Sequence, residues 1–255
     1  MAVHALRTKM RNALLAGAAL LAFGTYAVSS NAQDEQAYFG GALSTTGIQA
    51  PLDTPALEGA LLAIEALNER GGLLGKEVKF RNLDGKSEPT TVGDVTAQLI
   101  ADGANLIIAP CDFDMGSPAN RAAQEAGLVG MSTCASSPLH GSATLGDLQF
   151  TMAMGNTRMG APAAEYASNE RGWTKAYVIT DTFIDYTTSL SEYFIKHFEQ
   201  LGGEILNEDE YTQGAGDFSA QLSRMRSILQ NQEADVIFIS SYQPDLSMII
   251  RTIRQ

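Results

Sequence analysis

Residues 105–132 read NLIIAPCDFDMGSPANRAAQEAGLVGMS, and they describe one strand–helix–strand unit. The apolar run 105–110 is short enough for a fully buried strand, and a second apolar run closes the stretch. Between them, Ser117 and Pro118 fit the N-cap and the first position of a helix over 117–127. A strand, a helix and a second strand in this order predict two parallel strands joined by a right-handed crossover.

The same alternation continues through the rest of the chain. Apolar or alternating runs predict strands, and amphipathic stretches, several of them ending at glycine, predict helices. We expect strands at 37–43, 76–83, 105–110, 128–132, 175–181, 204–211 and 235–241, and helices at 54–72, 88–103, 117–127, 160–172, 188–203, 217–230 and 244–255. The predicted fold class is therefore α/β, with mainly parallel sheets flanked by helices.

The pattern also predicts two lobes. It pauses near residue 150 and then restarts, so we expect an N-terminal lobe over 33–153 and a partial C-terminal lobe over 154–255. The chain stops inside a further strand–helix unit without a closing strand. The second lobe is therefore expected to be incomplete.

The first 32 residues have the layout of a secretory signal peptide. Arg7, Lys9 and Arg11 precede an apolar stretch over 12–28, and small residues then offer a cleavage point after Ala32. The alternative is a membrane anchor, which needs about 20 apolar residues. We expect cleavage, and hence an exported protein.

The charge balance argues against two classes of partner. The chain has 17 basic and 29 acidic residues, and three of the basic residues lie in the predicted signal peptide. This leaves 14 basic residues against 29 acidic ones, a net charge of −15. Nucleic acids and anionic membranes attract basic patches, so neither is expected to be a partner.

The sequence lacks the common catalytic and cofactor motifs. It contains no G-x-S-x-G, no G-x-G-x-x-G after a strand, and no phosphate loop ending in Gly-Lys-Ser or Gly-Lys-Thr. His4, His140 and His197 do not stand in metal-ligand spacing. One alternative is a cysteine nucleophile at Cys111 with His140 as its partner. We nevertheless expect no enzyme, no cofactor and no metal.

Several loops follow predicted strands, where ligands bind in open α/β sheets. These loops are PCDFD (110–114), TCASS (133–137), the loop after Asp181, and SYQP (241–244). Strand-end loops from two lobes can face one cleft, which is the geometry of a binding protein.

Two of these loops contain the cysteines of the chain, Cys111 and Cys134. Disulfides form in the oxidising compartments that exported proteins reach, so we expect these two residues to be paired. Such a bond would stabilise the fold by roughly 3 kcal/mol in the chain-entropy model. The alternative is two unpaired, buried thiols.

The stretch EGALLAIEALNERGGLLGKEVKFRNLDGKSEP (58–89) resembles the type I periplasmic binding proteins of branched-chain amino acid and amide ABC importers, the leucine-binding-protein-like family. In that family a Gly-Ala helix leads to an Asn-x-x-Gly-Gly-x-x-Gly turn, a strand, and an acidic loop that ends in Pro. AQLIADGANLIIAP, MSTCASSPL and GDFSAQL are similar to it as well. The resemblance covers residues 37–255, and the family pattern extends beyond Gln255, which implies a C-terminal truncation.

This resemblance implies a function. The family forms a two-lobed clamp that closes on a small solute and delivers it to the transmembrane subunits of an ABC permease. We expect a periplasmic monomer whose ligand is amino-acid-like or an aromatic or other small carboxylate. The alternative is the ligand-sensing domain of a receptor or regulatory system.

The resemblance also implies binding residues in the first lobe. A serine that holds the ligand carboxylate in the family aligns with Phe113, which Asp112 and Asp114 flank. Phe113 is expected to stack on an apolar or aromatic ligand, and the two carboxylates to meet a cationic or hydroxyl-bearing group. The alternative is that the carboxylates satisfy amides of the turn and of the helix N-terminus.

Further candidates lie in three other loops. Ala135 and Ser136 match an Ala-Thr pair of the family, and Ser136 keeps the hydroxyl. Tyr242 matches a tyrosine that follows a strand of the second lobe, and the alternative for it is a packed core residue. Phe183 or Tyr186 matches an aromatic residue in the preceding loop.

Overall fold

The computed structural model describes residues 37–214, 216–231 and 233–254. The predicted signal peptide and its cleavage point lie outside these ranges. Residues 36–255 form one compact unit. None of the described helices combines the length and the apolar character that a membrane span requires.

The first sheet is parallel throughout, with five strands in the described part of the chain. The strands are β1 (Ala37–Gly41), β2 (Val78–Asn82), β3 (Leu106–Ala109), β4 (Val129–Ser132) and β5 (Gln149–Thr151). Their spatial order is β2-β1-β3-β4-β5. The carboxyl ends of all these strands therefore lie at one edge of the sheet.

The second sheet is also parallel and has three strands among the described residues. They are β6 (Lys175–Asp181), β7 (Glu204–Tyr211) and β8 (Val236–Ser240), in the spatial order β7-β6-β8. The α/β class with parallel sheets is therefore confirmed. The boundary between lobes at residue 153 stays a prediction.

Helices connect the strands. They are α1 (Ala50–Glu69), α2 (Pro89–Ala101), α3 (Phe113–Glu125), α4 (Ser142–Leu145), α5 (Thr157–Glu165), α6 (Asp185–Gln200), α7 (Ser219–Gln230) and α8 (Asp245–Ile253). A π-helical turn, Tyr166–Glu170, continues α5.

The central strand of the second sheet explains how its two faces are covered. Successive side chains of a strand point to opposite faces. Ala176 and Val178 pack with α5 and α6, whereas Tyr177 and Ile179 pack with α7 and α8. Both faces are therefore buried, and for this reason the strand reads as a nearly continuous apolar run.

Helix α5 packs closely against α6 at Gly160. A Cβ atom at Gly160 would lie 2.7 Å from the carbonyl oxygen of Leu190 and 2.9 Å from the amide nitrogen of Phe194. Glycine therefore permits a close approach of the two helix backbones that a residue with a Cβ atom does not allow here.

The start of α3 differs from the prediction. The helix begins at Phe113, four residues before the predicted cap at Ser117. Asp112 is the actual N-cap, because its extended backbone lets its carboxylate accept a hydrogen bond from the amide of Asp114 at 2.8 Å. Ser117 and Pro118 lie inside the helix instead.

Candidate functional site

A cavity of about 530 Å³ lies among loops that follow strands of both sheets. Its lining consists of Pro51, Leu52, Cys111, Asp112, Cys134, Ser136, Ala153, Met154, Met159, Tyr186, Ser241, Tyr242, Gln243 and Leu246. Leu52 is 38% exposed and Met154 is 61% exposed, so the cavity is accessible from solvent. A space of this size accommodates a small organic molecule.

Four of the predicted binding residues meet at this cavity. Asp112 and Ser136 come from loops of the first sheet, Tyr186 from the first turn of α6, and Tyr242 from the loop after β8. Their contact with a ligand stays a prediction. The other four candidates, Phe113, Asp114, Ala135 and Phe183, are not part of the cavity lining.

Phe113 and Ala135 belong to a small apolar cluster instead. Both are buried, and they pack with Leu145 of α4. The ring of His140 lies edge-on to the Phe113 ring, with 6.4 Å between the ring centroids. Phe113 is the first residue of α3 and anchors the start of that helix, so its predicted stacking on a ligand does not fit this position.

Asp114 connects the two sheets. Its carboxylate accepts a hydrogen bond at 2.8 Å from the amide of Asp185, the first residue of α6. This bond supports the alternative interpretation, in which the carboxylates flanking Phe113 satisfy helix N-terminal amides. Phe183 precedes α6, is 39% exposed, and donates its amide to Asp181 at 3.0 Å.

Asp112 has two roles in this geometry, because it caps α3 and also lines the cavity. The residue is only 6% exposed. Burial, followed by the charge of Asp114, raises the pKa of Asp112 to about 7, although the amides of Asp114 and Met115 oppose this rise. Asp112 therefore changes its charge near neutral pH.

Asp53 is a buried carboxylate that the sequence analysis missed. It lies in the first turn of α1 and accepts hydrogen bonds from the amides of Ser44 at 2.8 Å and Cys111 at 2.9 Å. It thereby ties the loop after β1 to the loop after β3. Burial raises the pKa of Asp53 above its ordinary value. No motif marks this residue, since its partners are backbone amides distant in sequence.

Tyr242 spans the cavity from the second sheet. Its hydroxyl lies 3.4 Å from the side-chain oxygen of Gln49, which precedes α1. Burial, together with the charges of Asp112 and Asp53, raises the pKa of Tyr242 to about 12. Burial also raises the pKa of Tyr186. Both phenols are therefore protonated hydrogen-bond donors at neutral pH.

A disulfide forms part of the cavity wall. Cys111 and Cys134, the pair expected from the sequence, are bonded to each other with their Cα atoms 4.4 Å apart. The Ser132 hydroxyl supports this wall, because it donates to the carbonyl of Pro110 at 2.9 Å and accepts from the amide of Ala135 at 3.1 Å. A thiolate nucleophile at Cys111 does not fit this arrangement.

The remaining wall is largely apolar. Leu52, Met154, Met159 and Leu246 supply it. No motif marks Leu52, Met159 and Leu246, because apolar side chains occur throughout the chain and only the fold brings these three together. Met154 differs from them, because it follows β5 and thus occupies a strand-end position.

Comparisons with known proteins agree with this architecture. The model of a family described as periplasmic binding protein matches residues 36–255. The Leu/Ile/Val-binding protein BraC3 of Rhizobium johnstonii is 25% identical over 216 residues, which cover 81% of this chain and 57% of that protein.

Two solved structures share the fold. The leucine binding protein LivK from Thermotoga maritima has a TM-score of 0.76 and 28% identity, over 86% of this chain and 60% of its own. The substrate binding protein LivJ from Streptococcus pneumoniae, solved with isoleucine, has a TM-score of 0.77 and 24% identity, over 86% of this chain and 61% of its own. The chain thus spans about three fifths of the length of these proteins.

Proposed function

The chain belongs to the periplasmic binding protein family, whose model matches residues 36–255, and on this premise we propose that it is an exported solute-binding protein. It captures a small organic ligand between two lobes and delivers it to the transmembrane subunits of an ABC importer. It acts by binding rather than by catalysis, as a monomer in the periplasm.

One observation carries the proposal: the cavity is lined by strand-end loops of both sheets and by the first turns of neighbouring helices. Ligands of α/β proteins bind at the carboxyl ends of strands. A ligand that contacts Ser136 on one side and Tyr242 on the other joins both halves of the chain. Ligand binding then favours the closed arrangement of the two lobes.

Contacts between the halves support a closing movement. The bond from Asp185 to Asp114 and the approach of Tyr242 to Gln49 both cross from the second sheet to the first. Both contacts are polar and involve few atoms. They can therefore break and re-form as the lobes open and close.

The expected ligand is amino-acid-like or an aromatic or other small carboxylate. The names of the relatives support the first class, since BraC3 is called a Leu/Ile/Val-binding protein and LivJ was solved with isoleucine. The apolar wall of Leu52, Met154, Met159 and Leu246 suits an aliphatic or aromatic body.

A thermal melt against a ligand panel tests the proposal. The panel contains aliphatic amino acids, amides, amines, aromatic acids and small polyols. A ligand at 100 times its dissociation constant adds about 2.7 kcal/mol to the free energy of unfolding, which raises the melting temperature measurably.

A matched pair of variants controls this experiment. Ala153→Trp fills the cavity and is expected to remove the ligand-induced shift, whereas Met152→Trp changes an exposed neighbour outside the lining and keeps it. Uptake of the labelled ligand by cells with and without the protein then tests delivery. Unchanged uptake in its absence would contradict the importer role.

A further inference from the structure

The ionisable groups around the cavity are acids and phenols. Among the described residues that line it there is no Lys, Arg or His, and Asp112 is the one acid. Asp114 and Asp53 lie close to Asp112, because the amide of Asp114 donates to the Asp112 carboxylate and the Asp53 carboxylate accepts from the amide of Cys111. Asp185 and Asp245 adjoin the lining residues Tyr186 and Leu246. Tyr186 and Tyr242 also face this space, and their raised pKa values keep them uncharged.

Two helix N-termini near the cavity, those of α3 and α6, each give an amide to a protein carboxylate. The N-terminus of α3 gives the amide of Asp114 to the carboxylate of Asp112. The N-terminus of α6 gives the amide of Asp185 to the carboxylate of Asp114. Helix N-termini are common binding sites for anions, so a ligand carboxylate finds these donors already in use.

His140 does not change this balance. Its ring packs against Phe113, outside the lining, and one ring nitrogen lies 3.1 Å from the carbonyl oxygen of Phe150. Burial lowers the pKa of His140, which favours the neutral ring at neutral pH. A ligand carboxylate in the cavity thus meets a buried acid and no compensating cation from the lining.

We propose that the cavity takes an organic cation, whose amine or amidine nitrogen contacts Asp112 while its apolar body rests on Met154, Met159 and Leu246. The hydroxyls of Ser136, Ser241 and Tyr242 complete the polar side of the site. The cavity rejects molecules whose only charged group is a carboxylate. This inference rests on the solute-binding function proposed above, and in place of the simple carboxylates considered there it assigns ligands that carry a cationic nitrogen.

The electrostatic reason is desolvation. A carboxylate that enters a largely apolar cavity loses its hydration and gains repulsion from Asp112. An ammonium group loses hydration as well, but Asp112 compensates it with a charge-assisted hydrogen bond. The difference in affinity between an amine and an acid of similar shape therefore depends on the side chain of Asp112. A substitution of this residue can test the assignment.

Two series of nearly equal shape test the assignment by isothermal titration calorimetry. The first contains 3-methylbutylamine, leucine and 4-methylpentanoate, and the second contains benzylamine, benzamide and benzoate. We expect each amine to bind more than about tenfold more tightly than the acid of its series. An acid or leucine that binds more tightly than the amine would overturn the inference and leave solute binding intact.

Asp112→Asn is the decisive variant. It removes the charge and keeps an oxygen that can cap α3, so we expect the amines to lose more than about tenfold in affinity while the acids do not weaken. Asp94→Asn, an exposed residue of α2, is the matched control and leaves the order of affinities unchanged. Equal loss for amines and acids would contradict a charge-specific contact.

The pH dependence of wild-type binding tests the same contact without a substitution. Asp112 must be deprotonated to hold a cation, so amine affinity is expected to rise roughly tenfold between about pH 5.5 and about pH 8, with release of protons. An affinity that falls over this range would overturn the inference. Binding of none of these compounds would overturn it as well, whereas the solute-binding function fails only if the whole wider panel is inert.

Discussion

Two buried carboxyl groups, those of Asp53 and Asp112, contribute to the cavity in different ways. Asp53 is fully buried and faces two backbone amides, those of Ser44 and Cys111. Asp112 caps α3 and presents its remaining surface to the cavity. Asp53 therefore maintains the loops that position Asp112, while Asp112 is the group that a ligand meets.

Replacing Asp53 by alanine is expected to destabilise the protein. The change leaves the buried amides of Ser44 and Cys111 without an acceptor, and each such loss costs about 1–3 kcal/mol. We expect a loss of about 2–5 kcal/mol in the free energy of unfolding, measured by urea denaturation. Asp53→Asn keeps one oxygen acceptor and should fall between alanine and wild type. Equal stability of all three proteins would contradict this role.

The disulfide between Cys111 and Cys134 also contributes to the stability of the folded protein. Cys111 and Cys134 are separated by 23 positions, and closing a loop of this size stabilises the folded state by about 3 kcal/mol in the chain-entropy model. The double variant Cys111→Ala/Cys134→Ala is expected to lose about this much in urea denaturation. A reductant should lower the free energy of unfolding of the wild type by a similar amount and leave that of the double variant unchanged. If the reductant does not change the stability of the wild type, the proposed contribution of the disulfide is wrong.

The close packing of helices α5 and α6 depends on Gly160. A methyl group at Gly160 would meet the backbone of Leu190 and Phe194 at less than 3.0 Å, and backbone atoms cannot move aside without shifting a helix. The packing of the two helices is therefore set by the absence of a side chain at one position.

Gly160→Ala is expected to cost about 1–3 kcal/mol, because it overpacks the contact between α5 and α6. Gly59→Ala is the matched control, since Gly59 lies inside α1 with open space around its Cβ position. That change should stabilise the protein by up to about 1 kcal/mol. Thermal denaturation of both variants measures the difference, and the same sign for both would refute the packing argument.

The sequence was sufficient to predict most of the elements, but it missed the short strand β5 and the short helix α4, and it did not place all the ends. The strand at 175–181 was predictable because both of its faces are buried and its apolar run is continuous. The start of α3 was not, because Ser117-Pro118 is a good local cap signal and the competing cap at Asp112 depends on where β3 ends. The position of Asp112 in the fold thus decides where α3 begins, despite the local preference of Ser117 for an N-cap.

The candidate site was predictable to a similar degree. Strand-end reasoning placed Asp112, Ser136 and Tyr242 in loops that do line the cavity. It could not exclude Phe113, because whether that ring faces the cavity or the cluster with Leu145 depends on the rotation of α3. It could not find Asp53, because backbone amides leave no trace in a side-chain pattern.

At the scale of the whole molecule, buried acids determine how stability responds to pH. Burial raises the pKa values of Asp53, Asp112 and Asp181 above the ordinary value of 3.8. The folded protein therefore binds more protons than the unfolded chain between that value and the raised ones. These protonated acids make their full contribution to the free energy of unfolding below their ordinary pKa. The contribution is lost as the pH rises through their raised pKa values in the folded protein.

We therefore expect the free energy of unfolding to decrease between about pH 5 and about pH 8. Asp112 titrates in the folded state near pH 7, so its share of the change is on the order of 2–4 kcal/mol. Asp84, Asp217 and Asp235 have lowered pKa values, and their opposite effect falls below the ordinary pKa, outside this window. The lowered pKa of His140 also opposes the decrease, but only below its ordinary value of 6.5, so the decrease between about pH 6.5 and about pH 8 belongs to Asp112. Urea denaturation across the range measures the slope, and Asp112→Asn should flatten it. A stability that rises toward pH 8 would rule the assignment out.

The disulfide in the cavity wall also makes completion of that wall depend on the redox environment of the chain. Cys111 and Cys134 lie at the cavity itself, in the loops after β3 and β4. Cross-links of this kind form in oxidising surroundings and not in a reducing cytoplasm. In a chain that is exported as proposed above, this bond therefore forms after translocation and completes the cavity wall. Formation of this disulfide is then a chemical step that is distinct from the folding of the two sheets.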